Sequence, residues 1–155
     1  MFSFALIVIA LLSIALFVLG SAVYVRNAHS LLNKTFFSFT IGVALWVVIN
    51  YISASTKVPH DVSLWANSIV LIVGGATLLS LLLFVLELTS WLSKTIWLKP
   101  LIVLSVLAWL LCLSPLIIKD VFIKDGQVVN DFGNYAPIYF ITLFITAILI
   151  GATLL

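Results

Sequence analysis

Apolar residues run along this chain in five long blocks, and every charged side chain falls between them. The charge-free blocks cover residues 2–25, 35–56, 62–86, 100–118 and 132–155. A helix needs about 20 apolar residues to cross the hydrocarbon of a bilayer, and an Asp, Lys or Arg at its centre costs about 2.5–3.5 kcal/mol. The pattern therefore predicts an all-α, polytopic bundle of five transmembrane helices at about 2–25, 35–56, 62–88, 100–118 and 137–155. Residues 1–155 then form a single membrane-embedded domain.

The punctuation between blocks fits this division. Pro100 and Pro137 stand where helices would begin, a place where the missing N–H of proline costs little. Val58-Pro59-His60-Asp61 suits a short turn, with Asp61 as N-cap of the third helix. Pro115, inside the fourth block, predicts a bend near its end. Between the fourth and fifth helices, Val121-Phe122-Ile123, Lys124-Asp125-Gly126 and Gln127-Val128-Val129 read as two short strands around an Asp-Gly turn. The alternative for this stretch is a disordered loop.

Composition makes the solvent plain. The chain is 65% hydrophobic and 8% charged, with a mean hydropathy of +1.37, whereas a soluble domain carries about 25% charged and about 45–50% apolar residues. So short a soluble chain could not bury this much apolar surface. A net charge of +2 without a basic run argues against a nucleic-acid partner. Cys112 is the single cysteine, so no intrachain disulfide forms, and its Leu111 and Leu113 neighbours suggest an inert helix residue. The first block lacks a positive leader and exceeds a normal signal-peptide core, so it reads as a retained span.

Loop charges suggest an orientation. With the N-terminus outside, the inner loops hold Arg26, Lys34, Lys94 and Lys99, and the outer loops hold Lys57, Lys119 and Lys124 among four aspartates. Trp91 and Trp97 flank Lys94 like an interfacial anchor, and the hairpin becomes an extracytoplasmic cap. The last block stops without the basic or aromatic residues that usually end a span, which predicts that the natural chain runs on past Leu155.

Few polar groups are candidates for function. Asn50 with Tyr51 on the second helix, and Asn67 with Ser68 on the third, fall toward the outer leaflet. They predict interhelical hydrogen bonds, or the lining of a pocket for a small-molecule or lipid ligand. Glu87, at the inner end of the third helix, is expected either to pair with Arg26 or Lys34 or to stand as a charge solvated by headgroups. His60 beside Asp61 suggests metal binding, pH sensing or a merely solvated loop; His29 reads as an interfacial residue. Gly74-Gly75-Ala76 offers a thin face for close helix packing. Phosphate loops, zinc motifs and a Ser-His-Asp set are absent from the sequence, so it predicts no enzyme, no cofactor and no metal site.

Local patterns carry a family resemblance. Asn33-Lys34-Thr35-Phe36-Phe37, Ala44-Leu45-Trp46, Leu64-Trp65-Ala66, Phe84-Val85-Leu86-Glu87-Leu88-Thr89 and Gly133-Asn134-Tyr135-Ala136-Pro137-Ile138-Tyr139 follow one another in an order and spacing that resemble the N-terminal seven-helix membrane module of bacterial sensor histidine kinases. The resemblance covers most of the chain from Leu31 onward. It implies a bacterial cytoplasmic-membrane location, two further helices, cytoplasmic signalling domains beyond them, and a homodimer of the full-length protein. The expected function is thus a sensory input module. Its rivals are a small multi-pass transporter or channel subunit and a membrane assembly protein; the lack of ionisable residues inside the spans argues against transport.

Overall fold

The computed structural model describes residues 4–91, 96 and 98–154. Its elements are α1 (Phe4–Arg26), α2 (Leu31–Ser53), α3 (His60–Leu88), α4 (Leu98–Cys112), β1 (Ile118–Lys124), β2 (Gln127–Phe132) and α5 (Ala136–Leu154). Four of the described helices, α1, α2, α3 and α5, are long and apolar enough to cross a membrane. The fifth expected span is shorter. α4 has 15 residues, about 22 Å of helix against a hydrocarbon core of about 30 Å.

Proline explains the shortening. Pro115 has no N–H and disfavours helical geometry in the residue before it. The helix therefore ends rather than bends: Leu113 and Ser114 donate to the carbonyls of Leu110 and Leu111 in tightened turns of 3.2 and 3.0 Å. The Ser114 hydroxyl then accepts from Leu116 N–H at 3.3 Å and leads the chain into β1.

Two other boundaries differ from expectation. α2 begins at Leu31, four residues early, because Ser30 caps it by accepting from Asn33 N–H at 3.4 Å. α3 begins at His60 with Pro59 at the cap position, which places Asp61 in the first turn and not at the N-cap. At its other end α3 closes in a paired-bond turn, Ser90 N–H to Glu87 and Trp91 N–H to Leu86, with Ser90 left-handed at φ 57°. The expected anchor of Trp91, Lys94 and Trp97 falls partly outside the described residues; Trp91 itself is exposed.

α3 is the spine. α2 runs antiparallel to it, with Phe36 against Phe84 at one end and the Ser53 carbonyl facing Asn67 at the other. α4 also runs antiparallel: Leu98 and Leu101 join Leu79, Leu82 and Leu86, while Ala108 and Cys112 lie by Leu64, Leu71 and Ile72. α5 runs parallel to α3, from Tyr139 beside Leu71 to Leu149 and Ile150 beside the Leu79–Leu86 cluster. α1 lies against α2, where Tyr24 stacks on Phe37 at 5.1 Å.

Thin faces make these approaches possible. A Cβ placed at Gly75 would fall 2.5 Å from Trp109 Nε1 on α4, and one at Gly74 would fall 3.1 Å from Trp46 Nε1 on α2. The expected Gly74-Gly75 face is therefore gripped between two indoles. Elsewhere the outer surface is apolar: Ile7, Leu11, Phe17, Val103, Leu110 and Phe144 are all exposed. An apolar bundle exterior is what lipid contact requires, and water would penalise it.

Candidate functional site

The end of the bundle that carries the hairpin concentrates the polar chemistry. β1 and β2 pair antiparallel around Asp125 and Gly126, whose φ values of 52° and 75° suit the mirror-image turn that matches strand twist. The predicted hairpin is thus present, and both strands extend beyond the expected residues 121–123 and 127–129. An irregularity between Ile118 and Asp120 shifts the register and sets Asp120 opposite Asp131. Two like charges in that position repel.

His60 relieves one of them. Its Nε2 lies 2.7 Å from Asp120 Oδ1, and its Nδ1 lies 3.3 Å from Asp61. His60 and Asp61 are exposed and precede the apolar stretch that starts at Val62, so the imidazole stands outside the spanning segment. The two carboxylates hold it above the ordinary histidine value of 6.5, Asp120 being the larger cause. Asp120 in turn lies below the ordinary value of 3.8, through His60 first and then the Val121 N–H, which donates to it at 2.8 Å. Beneath this contact is a pocket of about 120 Å³, lined by Ser55, Val58 and Ser63 on one side and by Val121, Ile123 and Val128 on the other. His60 forms part of its lip.

The residues predicted from sequence divide. Asn67 is buried and donates from Nδ2 to Ser63 O at 2.8 Å and Ser53 O at 3.5 Å, while the Ser63 hydroxyl reaches the same Ser53 carbonyl at 3.5 Å. This joins the end of α2 to α3. Asn50 is exposed, and its backbone carbonyl accepts from the Ser53 hydroxyl at 2.9 Å. Tyr51 is half-buried. Ser68 is buried and borders a separate pocket of about 160 Å³, with Leu64, Trp65, Ser114 and Pro115. Asn50, Tyr51 and Asn67 are not among the residues that line the Ser68 pocket.

The expected pairing at the opposite end does not form. Glu87 is half-buried, Arg26 and Lys34 are exposed, and among the described residues no ion pair links them. Asn33 supplies the joint instead. Its Nδ2 donates to Val23 O at 2.9 Å and Asn27 O at 3.2 Å, satisfying carbonyls at the end of α1 that the helix leaves open.

No family model, no curated protein and no solved structure matches this chain.

One feature that sequence reasoning missed lies deeper. The Tyr139 hydroxyl donates to the Leu71 carbonyl, and beside it opens an apolar groove of about 360 Å³ between α2, α3 and α5, lined by Trp46, Gly74, Thr77 and Leu143 among others. A buried tyrosine needs a partner for its hydroxyl, so a tyrosine one turn into an apolar helix was the available signal. Chemically, the hairpin end can hold or release a proton, and the groove can accept an apolar chain. Neither sets a nucleophile beside a base.

Proposed function

We propose that this chain is the membrane-embedded input module of a bacterial signal-transduction protein, of the sensor histidine kinase kind that its local sequence patterns resemble. In this reading the protein sits in the cytoplasmic membrane with its N-terminus and hairpin outside. α4 serves as a short fifth crossing, and the full-length protein acts as a homodimer.

The observation that carries the reading is mechanical. The hairpin contacts the first residue of α3 through His60 and Asp120, and α3 touches α2, α4 and α5 along its length. A ligand or membrane change that favours one hairpin position would bias the packing of a single helix whose far end lies at Glu87. Such a signal requires only that the ligand bind the two packings with different affinity. A small molecule at the hairpin pocket or a lipid chain in the Tyr139 groove would each meet that condition.

Two measurements test it. Reading the coding frame past Leu155 should reveal two further apolar spans and a dimerisation-phosphotransfer segment; a stop codon there would overturn the sensor reading. A thiol introduced as Asp125→Cys should react with an impermeant label on intact cells. Reaction only after the cytoplasm is opened would reverse the orientation.

A further inference from the structure

His60 and Asp120 are 60 positions apart in sequence, yet their side chains meet at 2.7 Å between the two elements that wall the hairpin pocket. We propose that this pair is a pH-responsive latch, holding the hairpin against the start of α3 when the imidazole is charged and loosening it when the imidazole is neutral. The latch follows from the fold and stands whether or not the chain is a sensor.

Three observations support it. First, the contact bridges separate elements, so its strength sets their spacing. Second, Asp120 has Asp131 opposite it across the hairpin, so loss of the imidazolium leaves two facing carboxylates uncompensated. Third, what closes the rest of the pocket is uncharged: Ser55, Thr56, Val58 and Ser63 below, and Val121, Phe122, Ile123 and Val128 above.

The charged groups around His60 are few. Asp61 lies beside it on α3, Asp120 faces it from β1, and Lys119 acts on Asp120 from the same strand. Asp131 stands on β2, and Lys57, on the loop before α3, is exposed and outside the pocket lining. The sign follows. The pair is fully formed below the unperturbed histidine value and weakens as pH rises through the elevated one, while the depressed Asp120 value keeps the carboxylate charged well into acid. Because both partners meet water, the latch biases the hairpin and does not lock it.

The experiment uses the whole chain in lipid nanodiscs, with Cys112→Ser to leave two introduced thiols, Lys57→Cys and Lys124→Cys, for spin labels. Their separation is measured at about pH 5 and about pH 9, on either side of the histidine range. The expected result is a short, narrow distribution in acid and a several-fold larger separated population in alkali. Asp120→Asn and His60→Gln should each abolish that pH response, and His60→Gln guards against a misfolded Asp120 variant. Identical distributions at both pH values, or a pH response that survives in both variants, would overturn the latch.

Discussion

The hydroxyl of Tyr139, near the start of α5, donates to the carbonyl of Leu71, in the middle of α3. The ring is buried between the two helices, so it fills space as well as bonding. Tyr139→Phe keeps the ring and removes the bond, and interhelical bonds in membranes average about 0.6 kcal/mol with a maximum near 1.7. A loss within that range is expected in a detergent unfolding titration. Tyr139→Ala empties the site and should cost about 3–5 kcal/mol. Equal losses in the two variants would show that the hydroxyl, and not the ring, holds α5.

Asn67 and Asn50 are predicted to behave differently, although each is an amide set among apolar neighbours in a long helix. Asn67 holds the Ser53 and Ser63 carbonyls from a buried position, so Asn67→Ala should lower stability by about 1 kcal/mol. Asn50 is exposed, and Asn50→Ala should change stability by less than about 0.5 kcal/mol. Thermal melts of both variants in one detergent decide the matter; an Asn50 loss as large as that of Asn67 would contradict the geometry.

The contrast between those two asparagines marks where sequence reasoning reaches its limit. The blocks were legible because charge exclusion from hydrocarbon is costly, and the hairpin was legible because Asp125-Gly126 suits its turn. Which side of a helix faces its neighbours was not legible, since these helices are apolar all round and carry no stripe to set their rotation. The meeting of His60 with Asp120, and of Gly75 with Trp109, depends on tertiary packing that local spacing does not encode. From sequence Pro115 predicts a bend, because proline kinks and proline stops share one local signature. The difference lay in the hairpin beyond it, which draws the chain out of the helix.

Ser90 occupies the left-handed position that closes α3, at φ 57°. A side chain there crowds its own carbonyl by roughly 1–2 kcal/mol, a cost that glycine avoids. Ser90→Gly should therefore stabilise the chain by up to about 1 kcal/mol once the added freedom of the unfolded state is counted. Ser90→Val should destabilise it. Chemical unfolding of the two variants checks both signs, and a stabilising valine would mean that the turn is not held left-handed in the membrane.

Gly133 closes the base of the hairpin. Its N–H donates to Ile117 O at 2.9 Å, and a Cβ added there would fall well inside contact distance of the Leu116 and Pro115 carbonyl oxygens. Those oxygens belong to the backbone that leaves α4, and Leu116 O also accepts from Tyr135 N–H at 3.1 Å, so neither strand can yield without breaking a bond. Gly133→Ala should consequently cost about 1–3 kcal/mol, as overpacking does, and should raise amide exchange across residues 118–132. Gly151, near the end of α5, has nothing within 4 Å of such a Cβ, so Gly151→Ala should leave amide exchange across residues 118–132 unchanged and, as a helical glycine replaced without strain, raise stability by up to about 1 kcal/mol. If the two alanines behaved alike, the hairpin would not be seated on the end of α4, and the contact between Asp120 and His60 would lose its footing as well.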